Sequence, residues 1–458
     1  MSLLKVSGKA VLAIAASLAF AGAGQAESLK SALAKAYENS GVLAQNQALL
    51  NAADESVVAA AGALLPAVQA SISQSYRKTE GVSDISDSTS FSISARMPIY
   101  DFGRGQLGID LAKEAVAGTR LQLASIEQSV LLNAIEAFMQ YRQATELVRL
   151  RENNLKVIDQ ELRAANDRFE VGEITRTDVA MAEAAKAQSL SALAQARGDL
   201  ERSTEAYMMA VGSKPNSPDA PVNLPSLPAS ASAAKAAAAK GHPDVLAAQS
   251  QVKQAEIRLA QAEANAMPGI SLSGSLSRGS SFGADSYTSS ANLGVEATIP
   301  LYQGGQIDSG VRQATAQLSS AKSALRVAVL NSDLQVGSAY ARLTVARANM
   351  QATEQQIAAA QIAFDGLREE AKLGARTTLD VLNAEQNLLD AKANRVIAST
   401  EVVNATYAVV AALGQLSAKG LGLQVDLFDP EAYAATVQTA APSMRGLQLD
   451  KVLGKLGN

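Results

Sequence analysis

The feature that most constrains this chain is that it is written twice. The stretch EVGEITRTDVAMAEA, from Glu170 to Ala184, returns as KLGARTTLDVLNAEQ, from Lys372 to Gln386. Gly374 lies 202 residues after Gly172, and Asp380 lies 202 after Asp178. The same offset pairs Pro66 with Pro268, Pro98 with Pro300, Tyr100 with Tyr302, Gly103 with Gly305 and Gly212 with Gly414. Upstream, VLAQNQ at Val42 matches VLAAQS at Val245 with an offset of 203, which reads as a one-residue slip. A period this long is no solenoid repeat. It predicts a first structural repeat over 27–212 and a second over 241–414. The Pro- and Ser-rich stretch at 213–240 reads as a linker, and 415–458 as a terminal segment and tail.

Each copy predicts the same order of elements. An Ala- and Gln-rich helix (42–65, 244–266) ends at Pro66 or Pro268, because the residue before proline is driven out of the helical region. Two strands follow, at about 67–79 and 89–100 in the first copy and about 268–278 and 290–302 in the second. In SFSISARMPIY, Phe91, Ile93, Ala95, Met97 and Ile99 share one face, and Ser90, Ser92, Ser94 and Arg96 the other. Long helices come next, 105–170 and 307–372, with no proline in either. At about 1.5 Å per residue each reaches roughly 100 Å. Returning helices are predicted at 177–212 and 378–414. Leu382, Leu389, Val396, Val403 and Val410 recur every seven residues, the mark of a helix-on-helix seam.

Strands that are apolar on one face and small-polar on the other suit a membrane barrel with a wet lumen, and also a soluble sheet with one buried face. Four strands cannot close a barrel, and lipid does not tolerate open edges, so a barrel would have to be shared between chains. A plain coiled-coil rod explains the helices equally well, but not the strand pairs.

The chain opens with Lys5 and Lys9, then AVLAIAASLAFAGAG and GQA before ESL. This predicts a secretory signal at 1–26, cleaved after Ala26. No later segment is apolar over the ~18 residues that a spanning helix needs. With no cysteine, disulfides and thiolate metal sites are excluded. A net charge of −4 argues against nucleic acid. The one histidine, His242, precedes Pro243 and reads as a helix cap or surface residue. Gly103, Gly105 and Gly108 spell G-x-G-x-x-G, but no second parallel strand follows at the dinucleotide-fold distance, so they read as the bend from strand into helix. No metal, cofactor or catalytic constellation is expected, and the chain is not read as an enzyme.

The two related stretches are helix reversals. Gly172 and Gly374 suit the left-handed position just past a helix end. Thr175 with Asp178, and Thr377 with Asp380, then form Thr-x-x-Asp variants of the capping box.

IPLYQGGQ, followed at helical distance by LGARTTLDVLNAEQ in a duplicated chain with a cleavable signal, resembles the TolC family of outer-membrane channel-tunnels. The resemblance covers nearly all of 27–417. It implies a mainly α protein with a membrane β-barrel: a homotrimer in the outer membrane of a Gram-negative bacterium, whose four strands per chain close one twelve-stranded barrel. A helical barrel would extend into the periplasm, with the linker and the segment after 414 as a belt. It implies an exit duct for type I protein secretion, multidrug efflux or both. The expected partners are an inner-membrane transporter (ABC or proton-driven), a periplasmic adaptor and outer-membrane lipid. The absence of a cysteine after the signal resembles the unacylated, protein-secreting branch. The resemblance also implies that Arg376 bonds across to Thr177 and Asp178 of a neighbouring hairpin as an entrance lock, and that Asp380 forms a pore constriction. Asn383 stands where a second aspartate ring is expected, and Ala371 where a locking tyrosine is expected. The competing readings are a periplasmic adaptor, which carries a single hairpin, and a structural coiled-coil protein.

Overall fold

The structure, a computed structural model, describes residues 27–78, 86–218, 224–281 and 287–438. The predicted signal and most of the tail fall outside these residues. The elements run α1 (Leu29–Asn39), α2 (Gly41–Gly62), β1 (Ala67–Arg77), β2 (Ser86–Tyr100), α3 (Arg104–Glu170), α4 (Arg176–Val211), α5 (Ala231–Gly241), α6 (Pro243–Ala264), β3 (Gly269–Ser281), β4 (Tyr287–Thr298), α7 (Gln306–Lys372), α8 (Thr378–Ala412) and α9 (Ala432–Gln438). Both long helices, α3 and α7, have 67 residues.

Three expectations are corrected. First, the stretch at 213–240 is not all linker. Its Ala-rich end is α5, which starts 202 residues after α1, so it is the opening helix of the second copy. Ala32 and Ala36 of α1 and their counterparts Ala234 and Ala238 are all fully buried. Second, the slip near residue 42 disappears. The buried side chains are Leu43 and Val245, again 202 apart, whereas Val42 is exposed. Residue identity pairs the exposed Val42 with the core Val245, and burial pairs Leu43 with it instead. Third, β4 ends at Thr298 rather than 302. Pro300 follows, and a proline cannot donate to the ladder.

The compact units do not coincide with the two copies. One unit takes 126–238 and 333–427 together with the N-terminal residues up to Leu43. The other takes 44–125, 239–332 and the residues from Phe428 on. Each draws on both copies because helices of one copy pack along helices of the other.

In the first unit, Leu29 and Leu33 of α1, Leu131, Ile135 and Phe138 of α3, Tyr207 and Val211 of α4, and Tyr407 of α8 form one core. A second core joins α5 to Val336 and Leu343 of α7 and to Ala405 and Val409 of α8. Alanine is frequent at these contacts, so helices approach closely and the chain needs few aromatics.

The second unit carries an antiparallel sheet of order β1-β2-β3-β4. The central pairing, Ile93 opposite Leu276, joins a strand of one copy to a strand of the other. One face is a serine ladder: Ser71, Ser73 and Ser75 bond Ser92, Ser90 and Ser88 at 2.8 Å each. Arg96 reaches Ser271 at 3.3 Å and Glu296 at 3.7 Å on that face. The other face presents Ile72, Phe91, Leu276, Leu293 and Val295, all exposed. Burying that face in lipid removes a large unfavourable contact with water. Among the described residues, the free edges of β1 and β4 have no partner strand in the chain.

At the strand-to-helix bend, Phe102 and Gly103 take φ of +54° and +86°. The Asp101 carboxylate accepts from the backbone N–H of Gly103 and Gly105 at 3.0 and 2.6 Å and caps α3. Gly103 therefore serves the turn, whereas Gly105 and Gly108 lie inside α3. His242 is the N-cap of α6: its Nδ1 accepts from the Asp244 N–H at 3.2 Å, with Pro243 in the first turn. It is buried rather than exposed, and burial holds its pKa below the usual histidine value.

Candidate functional site: the paired hairpin tips

The tips of the α3–α4 and α7–α8 hairpins are built alike. Gly172 and Gly374 have φ of +79° and +75°. Past each, a backbone N–H reaches back to the helix end: Glu173 to the Arg168 carbonyl at 2.9 Å, and Ala375 to the Glu370 carbonyl at 3.0 Å. The capping boxes are complete in both copies. The Thr175 N–H and hydroxyl donate to Asp178 Oδ2 at 3.0 and 2.7 Å, and the Asp178 N–H donates back to Thr175 Oγ1. Thr377 and Asp380 repeat this at 3.1 and 2.8 Å. The Thr175 hydroxyl, with its N–H, holds the Asp178 pKa below the usual carboxylate value. Asp380 is held down first by the Thr377 N–H, then by its hydroxyl, with Arg376 adding to the effect.

The two tips line one cleft of about 570 Å³, with Gly172, Thr175 and Asp178 on one wall and Gly374, Arg376 and Thr377 on the other. Asp380, Asn383 and Asn387 form a polar stripe along α8 and, with Arg376, line a groove of about 550 Å³ against α7. Within the chain, Arg376 donates through Nε to Glu370 at 2.8 Å rather than to Thr177 or Asp178. Glu370 raises its pKa further. Thr177 and Asn383 are exposed. Ala371 is buried in one cluster with Phe364, Val381 and Leu388 of its own hairpin.

The structure adds residues that the repeat pattern did not single out. The Asn154 amide on α3 donates to the buried Glu385 carboxylate on α8 at 3.2 Å, and the Ser189 hydroxyl on α4 donates to the Asn154 carbonyl oxygen at 3.2 Å. Arg368 on α7 pairs with Glu161 on α3 at 3.2 Å. A charge at position 385, between the seam residues Leu382 and Leu389, was the available signal. Around these groups, Leu382 packs on Ile158, Val179 and Ala182, so apolar contacts also tie the hairpins together.

A sheet with one bare apolar face, in a chain that also forms two long helical hairpins, fits the class of channel proteins whose strands sit in a membrane. The chain belongs to the outer membrane efflux protein family, which it matches over residues 32–213 and 236–415. It is 36% identical over 417 residues to outer membrane efflux protein BepC of Brucella suis, covering 90% of this chain and 91% of that protein. It is 25% identical over 410 residues to outer membrane protein TolC of Escherichia coli, covering 85% and 81%. Its fold is that of the Campylobacter jejuni CmeC outer membrane channel, with a TM-score of 0.73 at 18% identity, covering 84% and 85%. The protein is thus an outer-membrane exit duct for export.

Proposed function

We propose that three copies close their open sheets edge to edge into one barrel, giving twelve strands from the four in each chain. The duct then receives cargo from an inner-membrane transporter and a periplasmic adaptor. The observation that carries this reading is the four-stranded sheet with two free edges and one bare apolar face, which is unstable in lipid unless its edges are paired. The two hairpins and four strands in one chain favour a duct over an adaptor with a single hairpin. The mature chain begins at Glu27, after cleavage of an export signal. Membrane fractionation with cross-linking tests the reading: a trimer in the outer membrane supports it, and a soluble monomer refutes it. Mass spectrometry of the envelope protein checks the Glu27 start.

At the entrance, Arg376 exchanges Glu370 for Thr177 and Asp178 of a neighbouring subunit and holds the tips closed. A guanidinium can bond a carboxylate and a hydroxyl together. With alanine at position 371, the closed state rests heavily on Arg376. Arg376→Ser is expected to raise single-channel conductance in planar bilayers, and unchanged conductance would reject the lock. Three copies of Asp380 around the axis form a negative constriction that favours cations.

A further inference from the structure

Glu385 is a carboxylate buried between two hairpins, 7% exposed. Its acceptor oxygen takes the Asn154 amide, and Asn154 in turn takes the Ser189 hydroxyl. Asn154 and Ser189 are also buried. The chain of bonds runs α8 to α3 to α4 and therefore joins the second hairpin to the first. Leu388 and Leu389 beside Glu385 are buried, and Leu382, one turn earlier, packs on α3 and α4. Water is thus excluded from most of the carboxyl. The charged groups around it are Glu161 on α3, Arg368 on α7 and Lys392 on its own helix. Glu161 and Arg368 are paired with each other. The group that α4 brings is the neutral Ser189.

We propose that Glu385 is a positioning residue that couples the two hairpins, holding them together while its carboxyl is neutral and letting them part when it ionises. This rests on the reading of the chain as a duct whose entrance opens by parting helices at the tips. The physical basis is that a charged carboxylate is costly in the packed seam and at ease in water, whereas a neutral carboxyl still accepts from Asn154. Burial pushes the Glu385 pKa up. The Asn154 bond, Lys392 and Arg368 pull it partly back, and Glu161 adds to the rise. A group whose pKa is raised in the packed state stabilises that state at low pH. It loses the contribution as pH rises through the raised value. Parting the hairpins releases the proton, so higher pH favours parting.

The test compares wild type, Glu385→Gln and Glu385→Ala across a pH series. Two readouts are taken: single-channel conductance in planar bilayers, and hydrogen exchange of the α8 amides around Glu385 in the detergent-solubilised protein. In wild type, both are expected to rise with pH once intrinsic exchange is corrected. Glu385→Gln keeps the acceptor without the charge, so it should lose this pH-dependent part and stay near the low-pH level. Glu385→Ala leaves the Asn154 amide without its acceptor and should be loosened at every pH. Glu385→Gln with the wild-type pH profile, or with the behaviour of Glu385→Ala, overturns the proposal. If the protein does not conduct at all, the duct reading fails, and the exchange measurement still decides the coupling.

Discussion

Gly212 and Gly374 offer a calibrated experiment, because they share a backbone conformation but not a neighbourhood. Their φ values are +78° and +75°. A Cβ added at Gly374 would meet nothing within 4 Å, so Gly374→Ala introduces backbone strain alone. That strain is about 1–2 kcal/mol. The reduced freedom of the unfolded chain offsets about 0.4–1 kcal/mol of it. The expected net loss is about 1 kcal/mol. At Gly212, the added Cβ would lie 2.6 Å from the Asn39 Cβ, so α1 and α4 must shift. The shift also threatens the bond from Asn39 Nδ2 to the Val211 carbonyl at 3.2 Å, worth about 1 kcal/mol by itself. Gly212→Ala is therefore expected to cost at least about 2 kcal/mol. Hydrogen exchange resolves both sites locally through the opening free energies of the Ala375 amide at one turn and the Gly212 amide at the other. Gly374→Asn should cost less than Gly374→Ala, since asparagine tolerates the left-handed region. The reasoning is refuted if Gly374→Ala costs as much as Gly212→Ala, or if Gly212→Ala stays within a few tenths of a kcal/mol of wild type.

Asp380→Asn keeps the size and much of the capping ability of Asp380 while removing charge from the proposed ring, so reversal potentials in a salt gradient should shift toward lower cation selectivity, and unchanged reversal potentials would reject an electrostatic role for the ring. His242 predicts an acid sensitivity. Its pKa is lowered from 6.5 by burial, so the neutral form belongs to the folded state, and its contribution is complete above pH 6.5 and falls as pH drops below it. Exchange protection of α6 should decline over that range in wild type. In His242→Asn, which retains a capping side chain, that histidine-linked decline should be absent.

What could be read without the fold was what neighbouring residues determine among themselves. Gly172, Gly374 and the two Thr-x-x-Asp caps depend on residues a few positions apart, and these lie where the sequence indicated, whereas the helices before Pro66 and Pro268 end earlier than expected, at Gly62 and Ala264. The alternation of Ser90, Ser92 and Ser94 with Phe91, Ile93 and Ala95 likewise marked a two-faced strand, because the side-chain period is a property of the backbone. The 202-residue period carried one copy's chemistry to the other. Tertiary structure decided what distant segments share. It paired β2 with β3 and made α5 the counterpart of α1, since only burial distinguishes Val42 from Leu43. It gave Arg376 to Glu370 within the chain and turned Ala371 inward. It also brought Asn154 to Glu385 across 231 residues. A buried carboxylate and its amide partner leave no local spacing rule to read. Their contact exists only because the two hairpins pack, and the cost of leaving either group unpaired then makes the contact matter.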